Sequence, residues 1–154
     1  MTDRLDGGDV KGGSMSFTQD EIDYLRSQPL ARLATVGPDG QPDVVPVMFE
    51  FDGSVFYIGG RAPANTRKFR NVRKGHSQVA LVIDDLHTRE PWAPRFVRVY
   101  GTGELVERDG QFGFGPYMRI TPTISWSWNL DPLPYGPDHN TSVGMRRTVH
   151  DAPS

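Results

Sequence analysis

The chain has 154 residues, 36% hydrophobic and 23% charged, with a formal net charge of −2. That length allows one domain with a real core and excludes two. There is no cysteine, which excludes a disulfide framework and thiolate metal sites and fits the cytosol.

No apolar run approaches the ~18–20 residues that span a bilayer, so no membrane span is expected. Residues 1–16 hold no apolar stretch and read as a flexible leader rather than a secretory signal, with Met15 an alternative start. Cytoplasmic localisation is therefore the expectation. Order is expected from Phe17. In FTQDEI, Thr18 is an N-cap, Glu21 sits at N3 and Phe17 can staple onto Ile22. A helix over 19–27 should stop before Pro29, because proline disfavours the helical conformation in the residue ahead of it.

Strands follow. LATV (33–36) and DVVPVMFEF (43–51) flank the turn GPDG, and Asp52-Gly53 leads as a hairpin dipeptide into SVFYIGG (54–60). Residues 31–60 therefore read as a three-strand meander, with Val45, Val47, Phe49 and Phe51 on one face. A basic helix over 65–74 shows a narrow stripe of Phe69 and Val72 and a stop at Gly75. SQVALVIDD (77–85) is a continuous apolar run, as in a strand covered on both faces. RFVRVYGTGELVE (95–107) alternates, with Val97 and Val99 opposite Phe96, Arg98 and Tyr100.

The glycine-rich stretch 108–118 reads as a loop. In RITPTISWSWN (119–129), Ile120, Pro122, Ile124, Trp126 and Trp128 line one face, and Trp126 and Trp128 are assigned to the core. The polar, proline-rich residues 131–154 read as a weakly ordered tail around one domain over 17–130. The sequon Asn140-Thr141-Ser142 is read as chance. The fold expected is mostly β, with about six antiparallel strands closed into a barrel and two or three short helices.

Chemistry is narrowed by exclusion. The histidines at 76, 87, 139 and 150 have no partner at ligand spacing, and Asp84-Asp85-Leu86-His87 reads as a polar strand end rather than a metal site. There is no G-x-S-x-G, Walker loop or Rossmann fingerprint.

What stands out is NTRKFRNVRKG (65–75), in which five of the eleven residues are Lys or Arg. It follows Gly59-Gly60, where a ligand can approach backbone closely. Thr66, Arg67, Lys68 and the free N–H groups at the helix start offer a phosphate site. The alternatives are a solvated helix face and a nucleic-acid surface. A sequence pI near 6.1 weighs against nucleic acid. Pro46, inside an apolar strand, marks either a bulge or a surface for a flat ligand.

The motif order LATVGPDGQPDVVPVMFEFDGSVFYIGG, TRKFRNVRKG, VALVIDD and RFVRVYGTGEL resembles the pyridoxamine 5′-phosphate oxidase-like split-barrel superfamily. PWAPRF and RITPTISWSW resemble its deazaflavin branch, the F420-dependent enzymes. The resemblance spans roughly 17–130. It implies a homodimer of six-stranded antiparallel split β-barrels of the FMN-binding type, with two cofactor sites at the interface.

It further implies that Arg67 and Lys68, beside Thr66, hold the cofactor phosphate. The ring would lie along Val45, Pro46 and Val47. Ile58, Gly59 and Gly60 match the strand end near the phosphate, and the loop holding Trp92 and Arg95 would come from the partner subunit. Two departures favour F420 over FMN-dependent vitamin B6 oxidation: Phe96 stands where the flavin enzymes carry Gln, and the chain ends RRTVHDAPS rather than in an Arg-Leu motif. The expected activity is hydride transfer between F420 and a small conjugated molecule, with FMN oxidase chemistry or a non-catalytic flavin or tetrapyrrole module as alternatives. Tyr100, Tyr117 and water are the candidate proton donors.

Overall fold

The computed structural model describes residues 16–132 and 144–151. The leader up to residue 15, the sequon at 140–142 and the tail over 133–143 lie outside the described residues.

Helix α1 (Gln19–Ser27) opens on the expected capping box. Thr18 Oγ1 accepts the Glu21 N–H at 3.1 Å, and Glu21 Oε1 accepts the Thr18 N–H at 2.9 Å. Gln28, ahead of Pro29, is extended and ends the helix. Phe17 reaches beyond a local staple and meets Phe51 and Phe56 edge-on at 5.4 and 6.1 Å.

Strands β1 (Ala31–Val36) and β2 (Pro42–Val47) pair antiparallel, as do β3 (Glu50–Phe51) and β4 (Phe56–Ile58). The three-strand meander does not form. The run 43–51 breaks at Met48-Phe49, and β4 pairs with a distant strand through Phe56↔Ile120. The β3–β4 turn closes at Asp52, whose N–H donates to the Val55 carbonyl at 3.2 Å and whose Oδ1 accepts the Ser54 and Val55 N–H groups at 2.9 Å. The period-two face holds despite the break: Val47 is buried, and Val45, Phe49 and Phe51 pack on the same core.

Next come a 3₁₀ turn (Pro63–Asn65), α2 (Arg67–Arg73) and β5 (Gln78–Leu86). β5 is corrected in one respect. Val79, Leu81 and Ile83 are buried, but Ala80 and Val82 are only half-buried, so a single chain covers one face. β6 (Pro94–Gly110) and β7 (Gly113–Trp128) form a long hairpin where a loop over 108–118 was expected. The glycines there serve packing: a Cβ on Gly110 would lie 2.6 Å from Tyr117 Cζ, and Gly113 turns the chain at φ +84°.

A bulge overturns the single face expected of 119–129. Tyr100 pairs with Ile124 but Gly101 with Pro122, which leaves Thr123 as the extra residue. Ile120 and Pro122 point inward; beyond the bulge Ser125 and Ser127 are buried, and Ile124 and Trp126 turn outward. Trp126 is therefore not core, whereas Trp128 is buried beside Phe96.

The segment read as tail contributes β8 (Arg146–Val149), paired to β7. Burial of Thr148 and an ion pair from Arg146 to Glu21 hold it, signals that a polar composition hides.

Among the described residues the sheet runs β2-β1-β5-β6-β7-β4-β3, with β8 also on β7, eight strands where about six were expected. β2 and β3 stand at opposite ends of that path yet are three Cα steps apart in sequence, a reach of roughly 11 Å. The sheet must therefore curl back on itself, consistent with a split barrel. Leu33, Phe56, Ile58, Leu81, Val97 and Ile120 fill its inside. No helix among the described residues is long and apolar enough to cross a membrane.

Candidate functional site

α2 is anchored by Phe69 and Val72, the stripe read in the sequence, and ends at Gly75 with φ +101°. A second anchor had no counterpart in the stripe. Asn71 is buried and its Nδ2 donates to the Thr35 hydroxyl of β1 at 3.0 Å. The inward position of Thr35 in β1 was the signal for it.

The basic residues divide by what they touch. Arg70 Nη1 donates to the Asn65 carbonyl at 2.7 Å and Arg73 Nη2 to the Ala64 carbonyl at 2.8 Å, so both arginines tie down the 3₁₀ turn. Among the described residues, no carboxylate lies within ion-pair distance of Arg67 or Lys68. Burial holds the Lys68 ammonium pKa below its ordinary value, against the pull of Asp43 in β2. Thr66 is the N-cap residue, but its hydroxyl donates back to the Pro63 carbonyl at 2.7 Å. The first N–H groups of α2 thus have no side-chain cap. Arg67, Arg70 and Lys74 line a cleft of about 410 Å³ against the β1–β2 turn, where Asp39 is the one carboxylate.

The other expected site residues scatter. Pro46 is exposed on β2, an end strand of the sheet opposite Arg32, as a proline in a strand requires. Val45 is half-buried, Val47 is core and Ile58 is 0% exposed, so the Val47 and Ile58 side chains serve packing. Gly59 answers to the protein's own ring: a Cβ there would sit 2.4 Å from Tyr117 Cε2. Gly60, at φ +136°, faces open space.

Trp92 is 52% exposed on a loop closed by His87 N–H to the Ala93 carbonyl at 2.9 Å. Arg95 is committed within its own chain. It forks onto Asp85 at 2.7 and 3.0 Å and lies over the Tyr24 ring at 4.9 Å. Those bonds hold the Asp85 carboxyl below its usual range, while burial and the bond to Asp85 push the Tyr24 phenol upward. Neither Trp92 nor Arg95 lines the cleft beside Arg67. Of the two tyrosines, Tyr117 is buried, with its hydroxyl donating to the Gly113 carbonyl at 2.8 Å and accepting the Phe112 N–H at 3.0 Å. Tyr100 is 47% exposed on the outer face of the sheet.

That outer face is the feature sequence reasoning missed. One cross-strand row reads Val44, Ala34, Ala80, Tyr100, Ile124, Val149. The next contains Arg98, whose guanidinium lies 4.0 Å from the Trp126 ring centroid. Ala34, Val36, Ala80, Tyr100, Thr102 and Thr123 border a groove of about 360 Å³. Its signal was the small, apolar non-core positions of β1 and β5, which the sequence shows only once the register is known.

Comparison with known proteins agrees with this frame. The pyridoxamine 5′-phosphate oxidase family model matches residues 18–128. A 5a,11a-dehydrotetracycline/5a,11a-dehydrooxytetracycline reductase from Streptomyces rimosus subsp. rimosus is 46% identical over 123 residues, covering 76% of this chain and 86% of that protein. A solved F420 reductase is 25% identical with a TM-score of 0.51, covering 64% of this chain and 90% of that one. A solved Mycobacterium tuberculosis protein shares the fold at a TM-score of 0.60 and 21% identity, covering 88% of this chain and 100% of that one. The sheet order, the helix placed after the fourth strand and these matches agree: the chain belongs to the pyridoxamine 5′-phosphate oxidase family.

Proposed function

We propose that this protein is an F420-dependent oxidoreductase that reduces an unsaturated bond in a small conjugated molecule. The observation that carries the reading is its 46% identity to a dehydrotetracycline reductase, a likeness that spans 86% of that protein. The F420 reductase of similar fold supports a deazaflavin over a flavin. Bound deazaflavin supplies a hydride at C5.

The residues present fit the anionic part of such a cofactor. Arg67 and Lys68 have no carboxylate partner among the described residues, and the uncapped start of α2 adds N–H donors beside them. The part of this chain is to bind, orient and exclude water. Exposed Pro46 on β2 would offer the ring a flat apolar edge. Tyr117 is tied to the β6–β7 turn, so the acceptor's proton comes from water or from Tyr100.

A homodimer is part of the same reading. The row from Val44 to Val149 leaves a six-strand-wide, largely apolar face open in one chain, and a second copy would cover it. The partner's Trp92 loop would then border the cofactor, while Arg95 acts as a brace for Asp85 rather than as a ligand.

Charge-assisted hydrogen bonds are worth ~1.5–3 kcal/mol each, so Arg67→Ala with Lys68→Ala should weaken F420 binding by a few kcal/mol. A titration of the double variant that matches wild type would remove the phosphate assignment.

A further inference from the structure

The first and last described elements meet over a buried polar cluster. Glu21 of α1 is 1% exposed. Its carboxylate accepts the Thr18 N–H, the Arg146 guanidinium of β8 at 3.0 Å and the Ser127 hydroxyl of β7. One turn of chain away, His150 Nε2 lies 2.7 Å from Ser125 Oγ, and its ring packs 4.5 Å from Phe17. The His150 N–H donates to the Thr123 carbonyl at 2.8 Å, and Thr148 is buried between the two side-chain contacts. β8 is an edge strand of four residues, docked by its short ladder to β7 and by these side-chain contacts.

We propose that β8 is an acid-releasable clasp, docked through Arg146–Glu21 and His150–Ser125 and undocked when the His150 imidazole takes up a proton. β7 faces that ring with the hydroxyl of Ser125 and the backbone of Thr123, the residue ahead of the α1 cap with the phenyl ring of Phe17, and α1 with the carboxylate of Glu21 beyond it. Arg146 and Asp151 flank it on its own segment. An imidazolium there would lose water and be repelled by Arg146; Glu21 and Asp151 offset part of that cost. Burial is the largest influence and favours the neutral ring.

The docked pKa therefore lies below the free value near 6.5. Docking is fully supported above about pH 6.5 and is lost as pH falls through the docked value. Opening the clasp removes Arg147 and Val149 from the outer face and leaves Glu21 without its arginine. The clasp is built from contacts within one chain and does not need the cofactor, although opening it would also remove Val149 from the face given to a second copy.

The test is hydrogen exchange of the 146–150 amides in the whole protein, corrected for intrinsic exchange, from about pH 7.5 to about pH 5.5. Protection in wild type should fall by up to about tenfold per pH unit within the titration window, while β5 amides stay unchanged. His150→Phe should hold β8 protection flat. Constant protection in wild type, or the same loss in His150→Phe, overturns the clasp. Should that variant not fold, an NMR titration of the wild-type ring decides instead: a His150 pKa at or above about 6.5 overturns it.

Discussion

Gly59 is held to glycine by a neighbouring ring, because any Cβ there would meet Tyr117 at 2.4 Å. Gly59→Ala should lower stability by about 1–3 kcal/mol, read as a shift in urea midpoint. An unchanged midpoint with weakened cofactor binding would return this position to the ligand. Asn71→Ala strands the buried Thr35 hydroxyl and should cost about 1–3 kcal/mol. Asp85 gives the residue scale a pH dependence. With its folded pKa held low by Arg95, its contribution is present above about pH 4 and lost as pH falls through the lower folded value. Between about pH 5 and about pH 2.5, the urea midpoint of wild type should fall further than that of Asp85→Asn. Residues were legible where one contact decides them, as with Thr18 and Glu21. Gly59 and Arg95 were not, because their partners, Tyr117 and Asp85, are fixed by register and by a sheet not yet assembled.

At the scale of elements, local chemistry gave α1, α2 and most strands their place. The stripe of Phe69 and Val72 and the stop at Gly75 mark α2 within the local sequence, and packing on the core and on Thr35 holds it in place. Elements that depend on distant pairing were hidden. β4 crosses to β7 because Phe56 finds Ile120, and nothing within 31–60 encodes that choice. The glycine-rich hairpin tip looked like a loop because its glycines read as breakers, whereas Gly110 makes room for Tyr117 and Gly113 turns the chain. The bulge at Thr123 was invisible for the same kind of reason: the alternation of 119–129 is regular in sequence and is broken only by the partner strand. Deleting Thr123 removes the extra residue and keeps the pairs on either side of it, so Ser125 and Ser127 should stay inward and Trp126 outward. Cooperative thermal unfolding should therefore be retained, and its loss would mean that the bulge itself is needed for the fold.

For the whole molecule, the chain builds one curled sheet with an apolar inside and a second, open apolar face. The sequence indicated the first through its periodicity. It hid the second because Ala34, Ala80 and Ile124 look like core until the register shows them on the other side. The cationic cluster of 65–75 likewise resolves only in three dimensions: Arg70 and Arg73 brace a turn, whereas Arg67 and Lys68 have no carboxylate within ion-pair distance among the described residues. If the open face pairs two copies, sedimentation should give a dimer, and Tyr100→Arg with Val44→Asp should give a monomer that keeps its fold. A wild-type monomer at micromolar concentration would contradict that pairing.

The most direct test of the central claim is a fluorescence titration of the purified protein with oxidised F420 and, in parallel, with FMN. Micromolar or tighter F420 binding with weak FMN binding, abolished in the Arg67→Ala/Lys68→Ala variant, is the predicted result. Preference for FMN, or binding of neither, would contradict it.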